Sequence, residues 1–376
     1  MKTLASMTAA VVALILASVA AAGEDGAKTP GVMRDLPSVE MAKQMSPGWN
    51  LGNTLEALPS ETSWGNPQAT QELFNAVKAA GFKSVRIPVS WAAHSGLDDE
   101  ISERWMARVT EVVNYARTAG LYVILNEHWD GGWLQPTTAK QVEANARLAK
   151  LWTQIATNFK DYDDHLLFAG TNEVSVAGNY GPPTAENAAV QNSFNQTFVT
   201  TVRATGGNNA KRILVVQGYN TNIDQTIANA ILPTDTAPNR LMMEVHYYDP
   251  YNFTINDKSH IWQWGSIATD PAATETWANE AYADAQFEKM KTHFIDKGVA
   301  VILGEYSAMM KAEYAGHERY RVYWDAYITK SAYKHGLVPV YWDSGAIGNH
   351  AAGLFNRTTG VQPYPYIVDA IVKMTQ

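Results

Sequence analysis

The sequence predicts a single (β/α)8 (TIM) barrel, and three observations carry that prediction. A helix–glycine–strand unit recurs in AAGFKSVRIPV (79–89), TAGLYVILNEH (118–128), DKGVAVILGEY (296–306) and KHGLVPVYWDS (334–344). Eight short apolar runs have the character of parallel strands buried on both faces. Polar and aromatic residues gather at the C-terminal ends of many different runs, where a barrel of this kind places its site.

The elements follow in order. A first strand is expected around Gly48–Asn53, and a second after Gly81. The helix before the third strand carries Trp105, Val109, Val112, Val113 and Ala116 on one face. Gly120 ends it in the left-handed position that glycine takes without steric cost, and the third strand follows. The next helix shows the same period in Leu148, Leu151, Trp152, Ile155 and Phe159. Further strands are LLFAGTNE (166–173), RILVVQGY (212–219) and LMMEVHYY (241–248). Asp249–Glu280 reads as an extended loop carrying Tyr251, Trp262 and Trp264 toward the mouth. The last two strands follow Gly298 and Gly336. A doubly wound sheet is the alternative, but neither G-x-G-x-x-G nor G-x-x-x-x-G-K-[ST] is present.

Residues 1–22 read as a secretory signal peptide. Lys2 is the only charge before Glu24, and an apolar run from Ala9 ends in Ala20–Ala21–Ala22. That run is shorter than the roughly 20 residues that span a bilayer. The expectation is a secreted protein with no membrane attachment after cleavage. No linker or low-complexity stretch divides residues 23–376, so one catalytic domain, acting as a monomer, is expected.

Of 376 residues, 46% are hydrophobic and 18% charged, a globular balance. The formal charge of -8 argues against a nucleic-acid or anionic-membrane partner, which basic patches would bind. The absence of cysteine excludes disulfides, thiolate nucleophiles, zinc–thiolate sites and iron–sulfur clusters. The fold must then rest on its core. Twelve Trp, 18 Tyr and 10 Phe supply rings for that core, and flat faces of the kind that stack on sugars.

The strand ends carry Arg86, His128, Asn172–Glu173, His246–Tyr248, Glu305 and Trp342. Glu173 and Glu305 each close an apolar strand, and a barrel faces its fourth and seventh strand ends across the mouth. Carboxyls about 5 Å apart suit a retaining glycosidase; about 6.5–9.5 Å suits an inverting one. Arg86 and Tyr248 are placed to hold Glu305 ionised, and a drier position would leave Glu173 its proton. Structural ion pairs are the alternative for these glutamates. The first strand reads WNLGN, with no His-x-His, so neither a metal nor a cofactor is expected. Strand alternation points Glu127 away from the mouth, toward a salt bridge.

These residues resemble glycoside hydrolase family 5, the cellulase family of retaining (β/α)8 glycosidases. The resemblance runs from about Pro47 to Tyr366. It rests on PGWNLGNTLEA (47–57), WGNP (64–67), VRIPVSW (85–91), LNEHWDGGW (125–133), TNE (171–173), HYYDPYNF (246–253), GEYS (304–307) and YWDSG (341–345). It implies Glu173 as acid/base and Glu305 as nucleophile, with Arg86 and Tyr248 holding the nucleophile. His128 and Asn172 would bind sugar hydroxyls, His246 would support the glutamates, and Trp342 would stack under the sugar. The chain departs from the family in Val174, where proline often follows the acid/base, and in Trp129, where a second histidine is common. Trp129 either stacks on a sugar or packs a wall.

The implied activity is a secreted endo-β-1,4-glucanase acting on a β-linked polysaccharide without a cofactor. Trp49, Trp64, Trp129, Trp133, Tyr180, Trp262 and Trp264 are candidates to line its cleft. Mannanase, xyloglucanase and mixed-linkage glucanase share the chemistry and differ by contacts to one hydroxyl or branch. A non-catalytic carbohydrate-binding barrel is the rival from another class, although it would not need both glutamates.

Overall fold

The computed structural model describes residues 31–179 and 181–376; the expected signal peptide and Tyr180 lie outside them. Eight strands close into a parallel barrel in sequence order. They are β1 (Gly48–Asn50), β2 (Ser84–Ile87), β3 (Tyr122–Asn126), β4 (Leu166–Ala169), β5 (Leu214–Gln217), β6 (Leu241–His246), β7 (Ala300–Glu305) and β8 (Val338–Tyr341). Closure runs through β1 and β8, with Gly48 opposite Val340. All eight expected strands are present, and Gly81, Gly120, Gly298 and Gly336 all have the expected positive φ.

The helices are α1 (Ser38–Ala42), α2 (Gln71–Ala79), α3 (Glu103–Thr118), α4 (Thr138–Asn158), α5 (Ala185–Ala204), α6 (Ile223–Asn229), α7 (Tyr251–Thr254), α8 (Glu280–His293), α9 (His317–Lys334) and α10 (Pro365–Lys373). Side-chain caps start several of them, including Thr70 on α2, Ser102 on α3 and a full capping box at Thr184 on α5. The predicted apolar stripes of α3 and α4 are buried against the barrel. Each large apolar side chain buried this way contributes about 1.5–3 kcal/mol. Among the described residues no helix is long and apolar enough to cross a membrane.

Strand alternation splits the apolar residues into two cores. Outward residues such as Val85, Val123, Leu125, Phe168 and Leu303 meet the helices. Inward residues Ile124, Leu167, Ala169, Val215, Met242, Ile302 and Val340 fill the lower barrel, which Met41 and Met45 close from below. One step up the same strands, the inward positions become polar: Asn50, Arg86, Asn126, Gln217 and Glu244, all fully buried. The register puts Asn50 beside Arg86, and Gln217 beside Glu244. This polar layer is the foundation of the mouth.

Candidate active site

Arg86 is the hub of that layer. Its Nη1 donates to Glu305 Oε1 at 2.9 Å and to Asn50 Oδ1 at 3.0 Å. Its Nη2 donates to Asn172 Oδ1 at 2.5 Å, and its Nε lies 2.9 Å from Glu244 Oε1. Asn50 is fixed in turn by donating to Gly304 O at 2.8 Å. Burial opposes the guanidinium's charge, but Glu244, Glu305 and Glu173 outweigh it and keep Arg86 ionised.

Glu305 closes β7 with its side chain only 7% exposed. Tyr248 OH donates to its Oε2 at 3.0 Å, and His246 Nδ1 lies 3.7 Å from the same oxygen. Burial, then Glu305 and Glu173, hold the Tyr248 hydroxyl well above its ordinary value, so it remains a donor. Glu173 stands on the opposite wall with its side chain 43% exposed and with φ 47°, a left-handed conformation rare for a residue with a side chain. Its backbone N–H donates to Gln217 Oε1 at 3.2 Å, and its carboxylate meets His246 Nδ1 at 2.7 Å. One oxygen of Glu173 and one of Glu305 lie within 4.8 Å of each other.

The electrostatics differ from the sequence expectation. Glu305, rather than Glu173, is the drier carboxyl. Burial raises it, and His246 and Arg86 only partly offset this, so it stays above the usual range. Desolvation also opposes charge on Glu173, but the His246 hydrogen bond, the His246 charge and Arg86 bring it below that range. His246 itself is opposed by burial, yet Glu305, Glu173 and Glu244 push it up to about 9. In this arrangement the proton nearest Glu173 sits on the histidine.

Glu173, His246 and Glu305 are close enough to surround a cation. The donor set does not suit one: both nitrogens of the charged His246 ring face carboxylates, and Arg86 already occupies the same pocket of negative charge.

His128 is buried at the edge of the mouth. Burial, with Arg86 and His246 nearby, holds it well below its ordinary value, so it is neutral. Asn126 Nδ2 lies 3.0 Å from its Nδ1, and Asn172 Nδ2 lies 3.5 Å from its Nε2. The half-buried Trp342 indole lies nearly parallel to the His128 ring, 8° apart at 5.8 Å. Gly52 makes room for that indole, since a Cβ there would sit 2.9 Å from Trp342 Cζ2.

The conserved-family description of cellulase, glycosyl hydrolase family 5, matches residues 50–348. The chain belongs to glycoside hydrolase family 5. Endoglucanase A of Paenibacillus barcinonensis is 40% identical over 96% of both chains. The xyloglucan-specific endo-β-1,4-glucanase of Bacteroides ovatus is 43% identical over 91% of this chain and 71% of its own. A solved B. ovatus GH5 xyloglucanase holding an XXXG heptasaccharide superposes with a TM-score of 0.87, at 42% identity over 91% of this chain and 77% of that one. A broad-specificity GH5-4 endoglucanase from Bacteroides salanitronis gives 0.86, at 40% identity over 92% and 98%.

Two hollows flank Glu173 in this family 5 glycoside hydrolase. One, about 500 Å³, is lined by His128, Trp129, Trp133 and Asn172. The other, about 350 Å³, is lined by His246, Tyr248, Tyr251 and Asn222. Trp129 is 55% exposed there, and Trp133 is half-buried with Arg147 over its ring. Trp64 is half-exposed on the loop after β1, which Asn66 ties to Gly52, Asn53 and Ser344. Trp262 stacks face to face on Tyr314.

Two of the expected cleft residues are elsewhere. Trp49 is fully buried: Asn50 points inward, so its neighbour must point outward. There its indole N–H donates to Asp343 Oδ2 at 2.9 Å, under the Arg357 guanidinium. Trp264 is buried against Tyr323 and Tyr327 of α9 and donates to Ala278 O at 2.7 Å. The long loop thus tucks this ring under the helices instead of presenting it.

Glu127 is the third correction. It does point away from the barrel interior, but among the described residues it has no salt bridge, and its buried oxygens face only the Trp133 side chain, without good hydrogen-bond geometry. Burial, then Asp130, raises it well above the usual carboxylate range, so the carboxyl stays protonated. Glu244, Asn50 and Gln217 were missed in the sequence. The available signal was period two: each lies on an inward face, and Glu244 stands two residues before His246.

Proposed function

We propose that this family 5 glycoside hydrolase is a secreted endo-β-1,4-glucanase working by retaining double displacement, with Glu173 as acid/base and Glu305 as nucleophile. The observation that carries this reading is the approach of the two carboxylates to within 4.8 Å, the spacing of a retaining pair. An inverting enzyme needs a gap for a water molecule between them.

Glu305 attacks the anomeric carbon as Glu173 gives its proton to the glycosidic oxygen, and the C–O bond to the leaving sugar breaks. Water then loses a proton to Glu173 and attacks the same carbon, which releases Glu305. Arg86 and Tyr248 hold both Glu305 oxygens, so the nucleophile is aimed before the substrate arrives. The sugar that displaces water around Glu173 raises its affinity for the proton. Asn172 and His128 are positioned for hydroxyls beside the cleaved bond, and Trp342 for the sugar's apolar face. Trp129 and Trp133 extend the floor of one hollow, as suits an open chain-binding cleft.

Similarity to the B. ovatus enzyme and its heptasaccharide complex supports xyloglucan as a second substrate. The test is reducing-end release from carboxymethylcellulose, mixed-linkage glucan, xyloglucan and mannan, with Glu305→Gln beside the parent enzyme. Cleavage of the glucans, lost in the variant, and a first product of retained anomeric configuration are expected. Mannan as the preferred polymer overturns the substrate, and an inverted product overturns the mechanism.

A further inference from the structure

The His246 ring bridges two carboxylates through its two nitrogens. Nδ1 faces Glu173 Oε1 at 2.7 Å, and Nε2 faces Glu244 Oε1 at 3.1 Å. Glu244 lies below His246 on the same inward face of β6 and is fully buried. Its seat is built for it. The β6–β7 register shifts between Val245 and His246, and a Cβ at Gly304 would lie 2.1 Å from Glu244 Oε1. Any other residue at position 304 would therefore fill the space the carboxylate occupies. Arg86 Nε, 2.9 Å from the same oxygen, attracts it by charge from β2.

An ionised carboxylate only accepts hydrogen bonds. Burial opposes charge on Glu244, but Arg86 and His246 hold it below the usual range. Its presence at Nε2 therefore keeps a hydrogen on that nitrogen whether the ring is charged or neutral. Nδ1 is left as the nitrogen that gains and loses a proton, and Nδ1 is the one that faces Glu173. The other groups around the ring agree with this. Glu305 from β7 approaches Nδ1 only to 3.7 Å, His128 from the turn after β3 is neutral, Tyr248 keeps its proton on the Glu305 side, and Arg86 cannot accept.

We propose that Glu244 is a positioning residue that fixes the His246 tautomer, so that His246 Nδ1 stores the proton Glu173 delivers and recovers. The step balances within the pair. The proton moves from Nδ1 to Glu173 Oε1, which turns carboxylate and imidazolium into carboxylic acid and neutral imidazole with no change in total charge. Glu173 then passes that proton to the glycosidic oxygen as the C–O bond breaks. In the second half, the proton taken from water returns through Glu173 to Nδ1. The arrangement parallels the way a second carboxylate orients a catalytic or metal-binding histidine elsewhere. It rests on the reading of Glu173 as acid/base.

The test compares Glu244→Gln and Glu173→Gln with the parent enzyme on two β-cellobiosides. The phenyl glycoside needs a proton on its leaving group, and the 2,4-dinitrophenyl glycoside does not. For Glu244→Gln, which keeps the shape that fits the Gly304 seat, kcat/KM on the phenyl glycoside should fall about 10- to 100-fold. On the dinitrophenyl glycoside it should change less than about threefold. Glu173→Gln should show the same split, more strongly, by about 10²–10⁴. An even loss on both substrates, or no loss, in Glu244→Gln while Glu173→Gln splits overturns the role of Glu244 alone. No split in Glu173→Gln overturns the acid/base reading beneath it. A measurement on the unmutated enzyme stands apart from folding of the variants: ¹⁵N spectra of the His246 ring, assigned against His246→Gln. These should show Nε2 protonated on both sides of the ring's titration, and a neutral ring protonated on Nδ1 overturns the proposal.

Discussion

Tyr248→Phe removes one oxygen from the active site and leaves its ring. In the parent enzyme Glu305 accepts one bond at each oxygen, from Arg86 at 2.9 Å and from Tyr248 at 3.0 Å. The next group near Oε2 is His246 Nδ1 at 3.7 Å, too far for a good hydrogen bond. A hydrogen bond to a charged group contributes about 1.5–3 kcal/mol. At about 1.36 kcal/mol per pKa unit, its loss raises the Glu305 ionisation by about 1–2 pH units. The sign follows from the proposed mechanism: if ionised Glu305 is the group that attacks, the acidic limb of kcat/KM against pH must move to higher pH. The assay is that profile on an aryl cellobioside, with the 2,4-dinitrophenyl leaving group chosen so that proton donation by Glu173 does not obscure the limb. An acidic limb that stays in place or moves to lower pH refutes the assignment of Tyr248 as a donor that favours the ionised form of Glu305.

Four further outcomes follow from the same geometry. Glu305→Gln should lose more than about 10³-fold in kcat on polysaccharide, the order expected when a covalent nucleophile is removed, with the melting temperature as a check on folding. Trp342→Ala should weaken kcat/KM about 2- to 13-fold, the equivalent of 0.5–1.5 kcal/mol of stacking, with little change in stability. Trp49→Ala should do the reverse: a loss of about 3–5 kcal/mol in denaturant unfolding, because the ring is core. Glu127→Gln should stabilise the fold in a pH-dependent way. The native carboxyl, raised well above its unfolded value, binds a proton that the unfolded chain releases, so parent stability falls as pH rises above about 4.3. The variant lacks that slope, and its advantage should widen by up to about 1.4 kcal/mol per pH unit until the native carboxyl ionises. Equal stabilities at pH 4 and pH 7 would contradict this.

The barrel was legible because its strands are apolar on both faces and end in residues that no core requires. Glu173 and Glu305 stood out for that reason, and the structure sets Arg86 and Tyr248 in hydrogen-bond contact with Glu305. Glu244 was hidden by its position one layer down, inside LMMEVH, where a charge looks like an interruption instead of part of a site. Trp49 and Trp264 were misplaced because tryptophan suits both cores and clefts; for Trp49 the parity against Asn50 held the answer, whereas Trp264 depended on the path of a long loop. Sequence alone offered no way to see that Glu127 lacks a cation, since its surroundings come from Asp130 and Trp133 only after the loop folds. The relative dryness of the two glutamates was likewise a matter of depth: Glu305 ends a strand inside the barrel, and Glu173 sits on the turn beyond one.

The division of the barrel interior into an apolar floor and a polar upper layer separates two engineering problems. Side chains such as Ala169, Met242 and Ile302 pack below Arg86 and Glu244 and belong to a cluster distinct from the one that meets the helices. Volume-conserving swaps in that floor should cost less than about 1.5 kcal/mol, and their effects should add to changes in the loop tryptophans, which lie outside that cluster. The loops can then be varied to accept other polymers while the floor is left to carry the fold. The layer between them, with its buried charges held by one another, is the part of this chain with the least freedom to change.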